Sequence, residues 1–254
     1  GACPVVACGG APELPAAAVD HIAGGHPCIL RGLALFPAAC ERWSFEYLAD
    51  HLSLERLSVF SSCDGDYSYW YGKGNAGGFD FDPPTARRTC FFREFLRERE
   101  ASAMESGGGG HLYLQDVLWK HTREGKPQLR REAMSGEMLH DWDAGLSWET
   151  LRQALRAGGF SNLSTSSLFC SGRGAYSRLH YDQNANLYLQ VRGAKRWLIF
   201  PPECGPMLYP YPKGHPLDRK ARLDPEDPRL DLFPSAAELR GRGLVATLRP
   251  GDVL

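Results

Sequence analysis

Apolar residues recur at two different spacings along the chain, and the spacing changes from helical to alternating as the sequence proceeds. In the first two thirds, apolar positions three and four residues apart predict short helices at residues 14–22, 43–52, 91–99 and 147–155. Ser44 is a suitable N-cap for the second of these helices, and Gly158 with Gly159 ends the last. Short alternating or β-branched runs predict strands at residues 27–33, 57–60, 111–118, 167–171, 176–181, 187–191, 196–200, 245–248 and 252–254.

Turn sequences predict how the last strands pair. The sequence Arg-Gly-Ala-Lys predicts a hairpin of the strands 187–191 and 196–200, and the proline pair that follows it ends the pairing. The sequence Arg-Pro-Gly predicts a second hairpin, formed by the strands 245–248 and 252–254.

Short helices followed by many short strands predict a mainly β fold with an α cover, either a small barrel or a jelly roll. We expect residues 1–110 to form the helical and strand cover and residues 111–254 to form the β core, with a Pro-rich insert at 203–243. The aromatic run 67–71 favours a packed strand over a substrate groove. The charged stretch 120–139 is typical of a surface excursion.

Composition narrows the classes of partner. Lysine and arginine, 29 together, balance 30 aspartates and glutamates in a chain of 254 residues, which argues against nucleic acid or an anionic membrane as the main partner. No apolar run is long enough to span a bilayer, and the start of the chain lacks the pattern of a signal peptide. Eight cysteines without a Cys-x-x-Cys pair predict free thiols in the cytoplasm or nucleus and disfavour a zinc site.

The candidate chemistry lies between residues 176 and 200. His180 and Asp182 share a face at the head of the predicted hairpin, and an imidazole with a carboxylate supplies two of the three protein ligands of the Fe(II) facial triad. A lone His-Asp pair is more often a structural hydrogen bond. Lys195 favours the metal site over the structural hydrogen bond. A lysine that faces inward needs an anionic partner, and no acid follows Asp182 in the predicted hairpin, so a bound anion would have to supply the charge. Tyr113 and Gln115 add polar groups to one face of the strand 111–118, as expected for a lined cavity.

Four motifs carry a family resemblance. HYDQNANLYLQVRGAKRWLIFPP, LYPYP, HPLDR and PGDVL, in this order, resemble the JmjC (cupin-like) Fe(II)- and 2-oxoglutarate-dependent dioxygenases, most closely their asparaginyl hydroxylases. The likeness is strong over residues 112–254. It implies a double-stranded β-helix that uses Fe(II), 2-oxoglutarate and O2 to hydroxylate protein side chains, with asparaginyl β-hydroxylation as the specific form.

The resemblance also assigns roles to individual residues. It implies His180 and Asp182 as iron ligands, and it places the cosubstrate on Tyr113, Ser177, Asn186 and Lys195. A regular strand would put Ser177 and His180 on opposite faces, so a bulge or corner is needed between them. The implied substrate contacts are Tyr69, Gln115, Asn162, Leu163, Ser164, Gln183, Asn184, Arg219 and Lys220.

Three positions depart from the pattern of the resembled hydroxylases. Lys120 and Tyr71 each replace an acid, and Lys220 replaces a glutamine beside the target side chain. A cation at that place would repel lysine or arginine and favour an acidic or amide side chain. The implied partner is an extended peptide from a repeat protein or transcription factor, and the implied parent protein is a homodimer.

The third ligand of the implied iron site is not found in the sequence, which leaves alternatives to the enzyme open. The resemblance puts a second histidine after the PGDVL motif, where this sequence ends at Leu254, and we therefore expect a C-terminally truncated core. None of the remaining histidines that were considered lies where the resemblance puts this ligand, and His215 belongs to the insert; these are His111, His121, His140 and His215. The first alternative is a non-catalytic JmjC-like module that binds peptides. The second is a seed-storage-like or sugar-binding cupin, against which Lys195 and the LYPYP motif argue.

Overall fold

Short helices and strands alternate in the first half of the chain, and strands with 3-10 turns make up the last third. The structure is a computed structural model that describes residues 1–68, 70, 79, 81–104, 111–121 and 127–254. Its helices are α1 Ala16–Ala23, α2 Pro37–Arg42, α3 Phe45–His51, α4 Phe92–Met104, α5 Gly136–Gly145 and α6 Trp148–Ala157. Its strands are β1 Val5–Ala7, β2 Ile29–Arg31, β3 Leu57–Ser62, β4 Ala86–Cys90, β5 His111–His121, β6 Pro127–Leu129, β7 Thr165–Ser171, β8 Lys195–Ile199 and β9 Leu244–Leu248.

The largest sheet is antiparallel and centres on β5. Its order is β4-β3-β5-β6, and β7 also pairs with β5. Tyr113 lies opposite Phe60 of β3 and opposite Ser171 of β7. Because β3 and β4 precede residue 110, this sheet spans the domain boundary that the sequence predicts there.

The pairing of the last strands differs from the two predicted hairpins, which were wrong. β8 pairs with β9, so that Lys195 lies opposite Leu248. Residues 188–190 pair with 252–254 instead, and the amide of Tyr188 donates to the carbonyl of Leu254 at 2.8 Å. This exchange buries Val253 in a cluster under α1 that includes Ala18 and Leu30, and the half-buried Leu189 packs against the same cluster. In a jelly roll, strands joined by a short turn often enter different sheets, so a turn sequence alone does not fix the partner.

The segment 176–181 is not a continuous strand, contrary to the prediction. It forms two isolated bridges, from Tyr176 to Asp66 and from His180 to Lys220. The second bridge nevertheless holds the backbone of His180, a candidate metal ligand, against the insert.

Local signals in the sequence explain the helix ends. The Ser44 hydroxyl accepts a hydrogen bond from the Tyr47 amide at 3.1 Å, and the Ser147 hydroxyl accepts one from the Thr150 amide. Gly158 caps the end of α6. The predictions for Ser44 and Gly158 are confirmed, and each of these side chains or glycines satisfies the backbone at a helix end.

The prediction of a surface excursion at 120–139 was wrong for its second half. α5 begins at Gly136, and both Met134 and Met138 are buried in the main core. Within α5, the buried carboxylate of Asp141 accepts hydrogen bonds from Arg42, from the Trp43 indole and from the Tyr47 hydroxyl. The segment from Met134 into α5 is therefore part of the helical layer that covers the sheet.

The main core lies between the helices and the sheet. Its fully buried members include Leu57, Phe92, Phe95 and Leu114. The insert 203–243 has a small core of its own, formed by Cys204, Leu223, Ala236 and Leu239 between two 3-10 turns. All eight cysteines are free thiols, as predicted. In the described ranges, no helix has both the length and the hydropathy needed to cross a membrane.

Candidate functional site

Lys195 lies among aromatic rings at the start of β8. Its ammonium group is 4.8 Å from the Tyr188 ring, 4.7 Å from the Trp197 ring and 6.0 Å from the Phe169 ring. We call these four residues the Lys195 cluster. Burial lowers the pKa of Lys195 from 10.5 to about 8. The aromatic rings offset part of the free energy needed to bury the ammonium group, because their faces attract a cation.

Tyr113 lies next to the Lys195 cluster. Its ring is 6.1 Å from Phe169 and stacks on Tyr67 at 4.8 Å. Burial raises the pKa of Tyr113, so its phenol is a neutral hydrogen-bond donor near pH 7. Tyr113 and Tyr67 line a cavity of about 10 Å³ together with Phe60, Thr85 and Gln115, which is room for about one water molecule.

Unpaired donors in this region fit an anionic ligand. Within the described residues, no carboxylate lies within salt-bridge distance of Lys195, so the internal ion pair that the sequence left open is not formed there. The indole nitrogen of Trp197 and the hydroxyl of Tyr67 are also buried without a hydrogen-bond partner in the described part of the chain. A buried cation beside neutral donors suits a carboxylate, which accepts hydrogen bonds and supplies the missing charge. The residues present therefore fit the distal carboxylate of 2-oxoglutarate.

His180 is held in the tautomer that a metal ligand needs. Its Nδ1 atom is 2.7 Å from the carbonyl oxygen of Arg178. Because a carbonyl oxygen only accepts, Nδ1 carries the proton and the lone pair is on Nε2. Metal-binding histidines commonly donate their second ring nitrogen in this way, and the bond fixes the orientation of the ring.

Asp182 is oriented by its neighbours rather than by His180. One of its oxygens accepts a hydrogen bond from the Asn186 amide at 2.8 Å, and the other lies 4.0 Å from the Arg219 guanidinium. No hydrogen bond joins His180 to Asp182 among the contacts of the described residues, so the alternative of a structural His-Asp bond does not apply. Both side chains are exposed, and metal binding by them stays a prediction.

A complete set of metal ligands is not found in the part of the chain that the structure describes. No third histidine, cysteine, aspartate or glutamate joins His180 and Asp182 in a group that could hold a metal ion. The imidazole and the carboxylate are ligands that suit Fe(II), and together they supply two coordinating atoms.

Two predicted substrate residues lie directly beside the candidate ligands. The backbone of Lys220 is opposite His180, and the Tyr181 amide donates to the carbonyl of Arg219 at 3.2 Å. Burial lowers the pKa of Lys220, and the charge of Arg219 lowers it further, against an opposite effect of Asp182. Gln183 and Asn184 are exposed directly after Asp182.

The other predicted substrate residues are less close together, and their roles stay predictions. Gln115 lines the small cavity, whereas Leu163 packs against the main core and the cluster under α1. Asn162 and Ser164 are exposed, and the Asn162 amide donates to Ser161 at 3.3 Å. The predictions for Tyr69 and Tyr71 concern positions outside the described residues. Lys120, the third departure, is exposed.

Ser177 is exposed and, among the hydrogen bonds of the described residues, none joins its side chain to Lys195 or Tyr113. The segment 176–181 forms isolated bridges here, which is the irregular backbone that a Ser177 contact would require. Its role as a cosubstrate ligand stays a prediction.

Sequence reasoning missed several groups in this region. Phe169 lies opposite Gln115 in β7, and its ring is 6.0 Å from the Lys195 ammonium; the register of the sheet sets this position, and no sequence pattern specifies it. The buried carboxylate of Asp66 forms an ion pair with Arg178, two residues before His180. No local signal reveals this pair, because the two residues are 112 positions apart.

This fold and site place the chain in a known class of protein. Residues 15–254 match the family described as "Cupin-like domain", and the chain belongs to that family. The predicted class, mainly β with an α cover and a jelly-roll or double-stranded β-helix core, is therefore confirmed, while the predicted truncation stays a prediction.

Three relatives illustrate the range of similar proteins. HSPB1-associated protein 1 of Rattus norvegicus is 37% identical over 93 residues, which is 35% of this chain and 19% of the relative. Lysine-specific demethylase JMJ31 of Arabidopsis thaliana is 30% identical over 107 residues, 41% of this chain and 20% of the relative. Bifunctional peptidase and (3S)-lysyl hydroxylase JMJD7 of Homo sapiens is 26% identical over 259 residues, 92% of this chain and 72% of the relative.

The match therefore spans about a fifth of the length of HSPB1-associated protein 1 and of JMJ31. The demethylase and the hydroxylase among the relatives agree with the JmjC-type resemblance of the motifs. The particular closeness to asparaginyl hydroxylases stays a prediction.

Proposed function

We propose that this chain is the catalytic domain of an Fe(II)- and 2-oxoglutarate-dependent oxygenase that hydroxylates side chains of other proteins. The observation that carries the proposal is the Lys195 cluster, a half-buried ammonium group that faces aromatic rings and neutral donors. Evolutionary relatives include a lysyl hydroxylase and a lysine-specific demethylase, which supports oxygenase chemistry of this kind.

In this proposal each group has one task. Lys195 and the Tyr113 phenol hold the distal carboxylate of 2-oxoglutarate, with Ser177 as a further donor. His180 and Asp182 hold the iron, and Asn186 keeps the Asp182 carboxylate turned by its 2.8 Å hydrogen bond. When bound, iron and 2-oxoglutarate together supply the activation of O2. The half-buried rings of Tyr188 and Trp197 would keep water away from the cosubstrate.

Finer features of the proposal rest on the sequence motifs. Asparaginyl β-hydroxylation is the specific form implied by the resemblance, with Gln115, Gln183 and Asn184 among the residues that would contact an extended peptide. A homodimeric parent protein in the cytoplasm or nucleus, acting on a repeat protein or transcription factor, completes this proposal.

A second candidate function is a non-catalytic module that binds peptides. The observation that favours it is the pair of ligands at His180 and Asp182, to which no third side chain is added within the described ranges. Such a module would bind a peptide beside Arg219 without turning over 2-oxoglutarate.

Isothermal titration of 2-oxoglutarate tests the cosubstrate site without relying on turnover. We expect Lys195→Ala to weaken binding by about 3–5 kcal/mol, because the variant leaves a buried carboxylate without its cation. Lys213→Ala removes an exposed lysine of the insert and is the matched control, for which we expect no change. An unchanged affinity in Lys195→Ala would refute the assignment.

Decarboxylation of 2-oxoglutarate by the full-length protein separates the two candidate functions. We expect the wild-type protein to form succinate and His180→Ala to lose this activity. If neither protein forms succinate while both bind peptide, the module is the correct interpretation.

A further inference from the structure

The carbonyl group that orients His180 belongs to Arg178, in a segment without regular strand pairing. The Nδ1 atom of His180 lies 2.7 Å from this carbonyl oxygen. Isolated bridges hold the backbone at Tyr176 and at His180, and Arg178 lies between them. Because residues 177–179 lie outside every strand that the structure describes, the side chain of Arg178 is a further means of fixing this carbonyl.

That side chain is tied to a buried carboxylate of the N-terminal cover. The Arg178 guanidinium donates to one oxygen of Asp66 and forms an ion pair with it. The Ser68 hydroxyl donates to the other oxygen at 2.9 Å, so both carboxylate oxygens are held. Only 2% of the Asp66 side chain is accessible to solvent, against 36% for Arg178. A buried carboxylate retains its cation strongly, because separating the pair would leave an uncompensated charge without water.

The backbone around Asp66 is attached to the same segment, so the ion pair starts from a fixed support. The Tyr67 amide donates to the Tyr176 carbonyl at 2.8 Å, and the Tyr176 amide donates to the Gly65 carbonyl at 2.9 Å. These two bonds form the bridge between Asp66 and Tyr176. Both the main chain and the side chain of Asp66 thus hold the segment that leads to the candidate metal ligand.

We propose that Asp66 is a positioning residue for His180 and acts through its ion pair with Arg178. The pair holds the Arg178 carbonyl where it accepts the Nδ1 proton, which leaves the lone pair of Nε2 available to a metal ion. This inference rests on the proposed function, since it concerns a ligand that would hold the iron there. The alternative is an ion pair that only joins the cover to the core.

Nitrogen-15 NMR of the histidine rings tests the positioning in the absence of metal. In the full-length protein labelled at the ring nitrogens, the signals of His180 are identified by their loss in His180→Ala. At about pH 9, where histidine rings are ordinarily neutral, we expect the wild-type ring to carry its proton on Nδ1. Arg178→Gln and Asp66→Asn should give a mixture of the two tautomers, because the carbonyl is no longer held beside Nδ1.

Isothermal titration of Co(II) alone measures the consequence for metal binding. Changes in residues that orient a metal ligand commonly weaken binding by roughly 10–100-fold, so we expect Arg178→Gln and Asp66→Asn to lose roughly tenfold or more in affinity. Arg178→Lys keeps a cation for Asp66 and should retain most of the wild-type affinity. The half-exposed Arg178 keeps the test valid if the buried Asp66 position does not tolerate substitution.

Arg42→Gln is the matched control. Arg42 forms an ion pair with the buried carboxylate of Asp141 in the helical layer, and the exposed fractions of the two side chains, 42% and 1%, resemble those of the proposed pair. This variant therefore loses an ion pair of the same kind at another place. It should change neither the tautomer of His180 nor the affinity for Co(II).

Three results would overturn the inference. These are an unchanged Nδ1 tautomer in Arg178→Gln, an unchanged affinity for Co(II) in that variant, and an equal loss of affinity in Arg42→Gln. The same titrations distinguish the two proposals. Binding of Co(II) that depends on His180 but is unaffected by Arg178→Gln rejects the positioning alone, whereas a wild-type protein that binds Co(II) no better than His180→Ala rejects the proposed function and the inference with it.

Discussion

Replacement of Lys195 by methionine should stabilise the protein while it abolishes cosubstrate binding. Methionine keeps the length of the side chain and removes its charge, so it can pack against the rings of Tyr188 and Trp197. A site that is built to receive an anion carries an unfavourable cation when it is empty. The change therefore should have opposite effects on folding and on binding.

The pKa of Lys195 sets the magnitude. Its fall from 10.5 to about 8 corresponds to roughly 3 kcal/mol, since each pKa unit is worth about 1.4 kcal/mol. The cation–π contacts with Tyr188 and Trp197 return roughly 0.5–1 kcal/mol each. We therefore expect Lys195→Met to raise the free energy of unfolding at pH 7 by about 1–2 kcal/mol.

The pH dependence follows from the same shift. Below pH 8 the ammonium is charged in both the folded and the unfolded chain, so the full cost of burial opposes folding. Between pH 8 and 10.5 the folded chain releases this proton first, and the stability of the wild-type protein rises with pH. The advantage of Lys195→Met should therefore be constant below pH 8 and shrink above it. The affinity of the wild-type protein for 2-oxoglutarate should fall roughly tenfold per pH unit above pH 8.

Urea unfolding at pH 7 and pH 10 measures the first effect, and isothermal titration measures the second. Lys213→Met is the matched control, because that lysine is exposed and its loss should change the stability by less than about 0.5 kcal/mol. A variant that is clearly less stable than the wild type at pH 7 would show that burial of the ammonium is not unfavourable. A variant that still binds 2-oxoglutarate would remove Lys195 from the site.

Two further predictions concern buried carboxylates that support the site and the helical layer. Burial raises the pKa of Asp252, but hydrogen bonds from Arg31 and from the Arg249 amide hold it below its usual value. Arg31→Ala should lower the free energy of unfolding by about 1–2 kcal/mol at neutral pH and move acid unfolding to higher pH, because the contribution of Asp252 is lost as pH falls. Monitoring fluorescence during acid titration checks this, and an unchanged midpoint would contradict it. Asp141→Ala removes the acceptor for the buried Trp43 indole, the half-buried Tyr47 hydroxyl and the exposed Arg42 guanidinium, and it should cost about 3–5 kcal/mol in urea unfolding. A loss below about 1 kcal/mol would mean that water replaces the carboxylate.

Local signals in the sequence predicted the parts of the fold that depend on neighbouring residues. Ser44 was recognised as a cap because the residues that follow it have helical spacing, and Gly158 was recognised as the end of the last of these helices. The strand that carries Tyr113 was recognised by its alternation. In contrast, the partner of residues 188–190 lies at 252–254, and no neighbouring residue indicates that choice.

The candidate site likewise has residues that the sequence indicated and neighbours that only the tertiary structure brings to them. Lys195 and Tyr188 belong to the segment that was predicted to form a hairpin. The hairpin does not form, yet the two residues meet because residues 188–190 and β8 both pair with residues between 244 and 254. Phe169 and Trp197 complete the surroundings of Lys195 through the register of two separate sheets, which a sequence pattern does not specify. Sequence motifs thus indicated candidate residues of the site, whose roles stay predictions, but not the neighbours that bury Lys195.

The contacts of Arg31 and Leu30 with the last residues have a consequence for the order of folding. Arg31 and Asp252 are 221 positions apart, and Leu30 forms a bridge with Val253, which in turn pairs with Leu189. During synthesis, the early strand that contains Leu30 must wait for residue 253 to leave the ribosome before it gains this neighbour. Contacts of such long range slow folding because the chain loses much entropy before they form. The amides of residues 188–190 and 252–254 should consequently be among the last to acquire protection from hydrogen exchange during refolding.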